Sequence, residues 1–309
     1  MDNIVVALIS AAVSICIWIL SIPFEPFKAK LTCAFKLKTE QRYEQKREIK
    51  RVISKYKMQL INAAESLNHR LFNIYENYKW LQIEERPYRH NHFLNTTEYR
   101  LLLFFSWIKK IENEMIYLDV TLAEKCDLEF VKFLKLFQMA LCDAELIRKV
   151  DNRYDKSHQT DHFFRDRFDS LCSIIGVDKI PMGYYDFKQL DIPEDFDLHW
   201  FLDGISPEEN RYRWDLLQIL HYLIIMFLNT YGYDYQHTDI SKENRLFARK
   251  NKLISGYRDE LTRYNLIKQK EIKRFIRFCE LNRLLPKIYP ALPHLERDGF
   301  PWGKLSGLN

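Results

Sequence analysis

Glycine is scarce in this sequence. Only 8 of the 309 residues are glycine, which is under half of the usual share of about 7%. Parallel α/β folds place glycines at their turns and phosphate-binding loops, so this scarcity argues against them. The chain also lacks segments of alternating apolar and polar residues bounded by hairpin turns. We therefore predict an all-α protein.

Cysteine motifs and enzyme fingerprints are missing as well. No two of the six cysteines lie closer than sixteen residues, which excludes zinc ribbons and Cys-x-x-Cys redox sites and favours unpaired thiols in a reducing compartment. The sequence contains no Gly-x-Ser-x-Gly, no Walker loop and no dinucleotide-binding fingerprint. We therefore predict no cofactor and favour a non-enzymatic protein.

Charge is divided unevenly along the chain. The net charge of +5 combines +8 in residues 28–57, +9 in residues 242–287 and an acidic region between them. Two basic blocks can pair with that acidic region, or they can bind nucleic acid. Most aromatic residues fall at helical core spacing instead of beside the basic residues, so a nucleic-acid partner is not favoured.

One long apolar run begins near the N-terminus. Ile4–Ile22 is nineteen residues whose only polar members are three serines, long enough to cross a hydrocarbon core of about 30 Å. It predicts a single transmembrane helix that ends at Pro23 and Pro26. The excess of positive charge follows the run, so the positive-inside rule predicts that the domain after the span is cytoplasmic.

Two features of this region predict its contacts. Small residues spaced four apart allow membrane helices to approach closely, and the pairs here are Ala7 with Ala11 and Ser10 with Ser14. Lysines that follow a span contact anionic lipid headgroups. The lysines concerned are Lys28, Lys30, Lys36 and Lys38.

The strongest periodicity lies in residues 49–81. Apolar residues recur there at steps of four and three, which is the pattern of one helix face. A single four-four step, Ala63–Leu67–Leu71, interrupts the heptad. We predict one helix over about residues 39–80 with a coiled-coil-like seam inside a bundle. The seam residues are Ile49, Ile53, Tyr56, Leu60, Ala63, Leu67, Leu71, Ile74, Tyr78 and Leu81.

Further helices are predicted downstream. They cover residues 97–119 with Asn95 as N-cap, 127–149, 161–175 closed by Gly176, a helix opened by Ser206, and 241–285 with a break at Ser255–Gly256. The helix after Ser206 contains the apolar run Leu216–Leu228, which is too short for a second span and predicts a central buried helix. We interpret His221 within it as a core histidine.

These patterns divide the chain into five segments. The predicted segments are an anchor (1–24), a basic juxtamembrane segment (25–38), an N-terminal helical bundle (39–176), an acidic irregular connector (177–205) and a C-terminal helical region with an extended tail (206–309).

Part of the chain carries a family resemblance. The stretches concerned are Gln59–Ile74, Thr97–Leu101, Phe105–Glu114, Tyr117–Asp119 and Phe164–Asp169. They resemble a group of uncharacterised bacterial proteins with one membrane span and a cytoplasmic helical region. The group usually has glycine and glutamine where this chain has Phe168 and Ser170. The resemblance covers about residues 56–176 and implies the fold and location, with no activity.

One set of residues has metal-ligand spacing. His158 and His162 are four apart, which places two imidazoles on one face of a helix, and Asp169 continues that face. The three could hold a divalent metal. The apolar residues of the same helix, such as Phe168 and Leu171, lie on the other side, so we favour a solvated polar face over a metal site.

Two classes of function fit these observations. The favoured one is a membrane-anchored helical module that binds a protein partner or self-assembles, or that acts on the membrane as an effector. The alternative is a membrane-tethered hydrolase that uses a metal bound by His158, His162 and Asp169.

Overall fold

Helices dominate the part of the chain that the computed structural model describes. Described are residues 2–82, 91–157, 161–176, 180–190 and 197–288, without the side chains of 2, 19–27, 29 and 281–288. Within these ranges the regular elements are α-helices and short 3₁₀ turns, so the all-α prediction is confirmed. The α-helices are α1 (Asp2–Asn77), α2 (His92–Glu114), α3 (Lys125–Cys142), α4 (Ala144–Arg148), α5 (Arg165–Ser173), α6 (Tyr184–Lys188), α7 (Asp197–Leu202), α8 (Arg213–Tyr231), α9 (Ile240–Phe247), α10 (Ile254–Arg263) and α11 (Lys270–Ile288).

The fold divides into two compact units. The N-terminal unit comprises Met1–Lys55 and Glu114–Leu128, and the core unit comprises Tyr56–Asn113 and Glu129–Asn309. The five segments inferred from the sequence stay a prediction.

The N-terminal unit contains the first part of α1. Helix α1 continues through Pro23 and Pro26, so the prediction that these prolines end the helix is wrong. A proline removes one backbone donor and strains the helix, but α1 runs without interruption from Asp2 to Asn77. Later in the unit, Lys55 and Glu114 form an ion pair with a 2.9 Å separation of nitrogen and oxygen.

Large apolar side chains near the start of α1 are exposed. Those from Ile4 to Trp18 are each 52–67% exposed. Among the described residues, we find no helix whose length and apolar character would let it span a bilayer. The predicted span, Ile4–Ile22, runs past Trp18 into residues whose side chains lie outside the description. The transmembrane helix is therefore not supported by the structure.

The predicted seam of α1 is buried. The seam residues from Ile49 to Ile74 are each at most 6% exposed, and Leu81, in the 3₁₀ turn after α1, is fully buried. The prediction of one long helix with a buried apolar stripe is therefore confirmed for this stretch.

Helix α8 is the most buried element of the core unit. Every residue from Arg213 to Leu228 is buried, which confirms the interpretation of Leu216–Leu228 as a buried helix. Phe227 contacts Phe133 and Phe137 of α3 at ring-centroid distances of 5.7 and 5.4 Å. Tyr222 contacts Phe247 and Phe275 at 5.2 Å each. Helix α8 therefore packs against helices that both precede and follow it.

Three predicted helix starts are wrong. The helix predicted from residue 161 begins at Arg165. Helix α2 begins at His92, and its first turn is capped by Asn91, whose side-chain oxygen accepts the Leu94 N–H at 3.0 Å. Asn95 therefore lies inside the helix. Ser206 accepts the Glu208 N–H in a local turn, and α8 begins only at Arg213. The guanidinium of Arg213 donates to the carbonyls that end α7, those of Trp200, Phe201 and Asp203.

Two predicted helices are divided. The helix predicted for 127–149 ends at Cys142, because the Asp143 side chain accepts the Glu145 N–H at 3.0 Å and starts α4. The helix predicted for 241–285 is three helices, and the predicted break at Gly256 lies inside α10. Asn265, with φ of 53°, turns the chain between α10 and α11. Gly176 has φ of 92°, as a glycine at a helix end requires.

Candidate functional site

A basic cleft lies between α1 and the chain around α9 in the core unit. Its volume is about 250 Å³. The α1 side presents His69, Phe72, Asn73, Tyr75 and Glu76, and the opposite side presents Lys242, Arg245, Leu246 and Arg249. We call it the cationic cleft. It brings together two stretches of chain about 170 residues apart.

Local structure explains why the three cations face one way. Asp239 caps α9 by accepting the N–H groups of Ser241 and Lys242 at 2.8 and 3.3 Å. Lys242 and Arg245 are three residues apart in α9, which places them on one side of the helix. Arg249 follows in the bend just after α9 and lines the same cleft. Leu246 and Phe247 are buried, and Leu246 forms part of the cleft lining.

The cleft has an excess of positive charge. Lys242, Arg245 and Arg249 face a single carboxylate, Glu76. Within the described ranges, none of these three cations forms an ion pair. The guanidinium carbon of Arg249 lies 4.9 Å from the centroid of the Tyr75 ring, a cation–π distance. The cations are therefore available to an anion from solution.

A buried histidine packs against Tyr75, one of the residues that line the cleft. His221 stacks on Tyr75 with centroids 5.4 Å apart, and its Nε2 lies 2.8 Å from Oδ1 of Asn68. Burial lowers the pKa of His221 well below its usual value, and the positive charge of Arg249 lowers this pKa further. The imidazole is therefore neutral at pH 7. His221 is a core residue, as interpreted from the sequence.

A second polar pair is buried between α2 and α7. Glu98 is fully buried, and one of its carboxyl oxygens contacts Nδ1 of His199. Burial raises the pKa of Glu98 well above its usual value and lowers the pKa of His199 to about 4. Both pKa shifts favour a neutral carboxylic acid beside a neutral imidazole. The pair joins two helices by a hydrogen bond without net charge.

Two of the three predicted metal ligands lie within the described residues. His158 lies outside them. His162 precedes α5, is 4% exposed, and its Nδ1 lies 2.8 Å from the Tyr154 hydroxyl. Asp169 lies on α5, accepts a hydrogen bond from Gln138 at 2.8 Å and pairs with Lys109 at 2.7 Å. His162 and Asp169 therefore do not lie on the same helix, and His162 is covered by Tyr154 and its neighbours instead of facing solvent.

A different group has the spacing of metal ligands. Within the described residues, the ligand atoms of Glu124, Cys126 and Asp127 lie within 4.8 Å of one another. Glu124 and Cys126 are exposed, and exposed acidic groups of this kind are common without a metal. The metal site of the sequence interpretation stays a prediction.

The residues predicted to contact the membrane are exposed. Ala7, Ala11, Ser10 and Ser14 are on the surface of α1. The hydroxyls of Ser10 and Ser14 donate to backbone carbonyls of their own helix at 3.0 and 2.9 Å, so they need no outside partner. Lys28, Lys30, Lys36 and Lys38 are exposed as well.

Comparisons with protein-family models, with curated proteins and with solved structures give no match for the chain. The resemblance to bacterial membrane proteins therefore depends only on the stretches quoted for it.

Proposed function

We propose that the chain is a membrane-anchored, non-enzymatic helical module whose N-terminal segment holds it at a bacterial inner membrane and self-associates there. The observation that carries the proposal is the exposed apolar surface at the start of α1, with exposed lysines on the same helix from Lys28 onward. The positive-inside rule places the core unit on the cytoplasmic side.

The free energy available from this surface supports the proposal. Nine large apolar side chains between Ile4 and Trp18 are exposed. Complete burial of a fully exposed side chain of this kind contributes about 1.5–3 kcal/mol. Because these nine are 52–67% exposed, together they can contribute on the order of 10 kcal/mol. Each lysine close to an anionic surface adds about 1 kcal/mol. Lipid provides both the apolar interior and the negative surface that these residues need.

Membrane binding can be tested with two aspartates in the apolar segment. Each acidic residue at the centre of a span costs about 3 kcal/mol, so Ile9→Asp with Val13→Asp should reduce membrane-bound protein at least about tenfold. Flotation of the full chain with vesicles of bacterial lipid measures this fraction. The matched control, Gln41→Asp with Tyr43→Asp, changes exposed residues of the same helix and should float like the wild type. Equal flotation of the two double variants would rule out this anchor.

Self-association can be tested on the small residues. Ala7, Ala11 and Ser14 lie at i, i+4 and i+7, so Ala11→Ile with Ser14→Ile should block close approach and weaken dimers at least about fivefold. Energy transfer between labelled chains in vesicles measures the dimer fraction. Ala12→Ile adds similar bulk about 100° away around the helix from Ala11 and should leave dimers unchanged. A wild-type chain that is monomeric in vesicles would contradict self-association.

A further inference from the structure

The cationic cleft has the features of a binding site for a small anion. Its three cations carry no ion pair in the described part of the chain, although carboxylates such as Glu243 and Glu260 of α9 and α10 are paired with other basic residues. Glu76 lines the cleft and the charge of Asp239 acts on Lys242, but within the described residues neither carboxylate forms an ion pair with the three cations. Positive charges held close together repel each other, and a bound anion offsets that repulsion.

The chemistry of the lining favours a phosphate group. Arginine offers a planar fork of donors that fits phosphate oxygens in pairs, and lysine adds a compact charge. Across the cleft, Asn73 and His69 offer further polar groups. A volume of about 250 Å³ is close to the lower limit of small-molecule sites, about 300 Å³. The cleft therefore has room for one phosphate group with a small substituent.

We propose that the cationic cleft binds a phosphomonoester, held by Lys242, Arg245 and Arg249 against the Tyr75 side of α1. The group can belong to a soluble metabolite or to the headgroup of a lipid such as phosphatidic acid. The proposal is independent of membrane anchoring and of self-association, because all of the residues that it uses belong to the core unit.

Titration of the full chain in detergent micelles tests the proposal, with phenyl phosphate as the soluble probe and short-chain phosphatidic acid as the lipid probe. We expect saturable binding of at least one probe. Arg245→Gln and Arg249→Gln should each weaken binding at least about tenfold, as expected for the loss of a charge-assisted bidentate contact. These exposed side chains can be replaced without disturbing the core. The ratio of the two affinities identifies the source of the phosphate.

The matched control is Lys250→Gln. Lys250 is an exposed cation next to Arg249 but does not line the cleft, so its removal changes net charge equally and should change affinity less than about twofold. No saturable binding of either probe would overturn the proposal. An equal loss of affinity in the Lys250→Gln and Arg249→Gln variants would also overturn the proposal, because binding would then depend on the overall surface charge.

Discussion

Replacing Leu67 by aspartate will destabilise the core unit by at least about 4 kcal/mol, because it removes a buried apolar side chain and places a charge where the seam offers no partner. Leu67 is fully buried in the middle of the seam. Denaturation of the full chain, followed by circular dichroism, measures the loss. A decrease of this size is a large part of the 5–15 kcal/mol that stabilises a typical domain.

The control for this prediction lies on the same helix. Met58 is 47% exposed, so Met58→Asp should cost less than about 1 kcal/mol. Both variants introduce the same charge into the same unit. Similar losses for the two would show that the seam is not buried in solution.

Replacing Glu98 by alanine will cost about 3 kcal/mol or more, because it leaves His199 without this buried partner and opens a cavity. Glu98→Gln should cost about 1 kcal/mol or less, since glutamine keeps the size and a hydrogen bond without charge. The difference follows from the raised pKa of Glu98, which holds the carboxyl group in its neutral form. Unfolding in denaturant at neutral pH measures both values.

A different result for Glu98→Gln would contradict the neutral pair. If Glu98→Gln destabilises the protein as much as Glu98→Ala, the native pair is a carboxylate with an imidazolium. Glu280→Ala provides a surface reference, because Glu280 pairs with Arg258 while both side chains are about half exposed. An exposed pair of this kind contributes less than about 1 kcal/mol.

Local periodicity predicted the helical fold well. In the seam from Ile49 to Ile74, apolar residues recur once per helical turn, so one buried face could be predicted. In the run Leu216–Leu228, apolar residues cover all faces, so a fully buried helix could be predicted. Helix ends were predicted less well. Asn95 has a capping-box sequence, but the side chain that caps α2 is Asn91. Ser206 has a suitable sequence for opening a helix, but Arg213 binds the end of α7 and sets the start of α8.

The cationic cleft was not predicted, although part of its signal is in the sequence. Lys242, Arg245 and Arg249 have the spacing of one helix face. Only the net charge of the basic block was considered, and not the side of a helix on which each cation lies. Their position opposite Tyr75 depends on tertiary packing between residues about 170 apart. The same reason hid the pair of Glu98 with His199, which are 101 residues apart.

The burial of α8 on all sides has a consequence for the order of synthesis. Phe133 and Phe137 leave the ribosome before α8, whereas Phe247 and Phe275, which cover Tyr222, leave it afterwards. For the time needed to synthesise about 50 further residues, one side of the most apolar helix has no cover from its own chain. Partly folded chains that expose such surfaces aggregate readily. We therefore expect a ribosome-associated chaperone to bind the nascent chain at this stage.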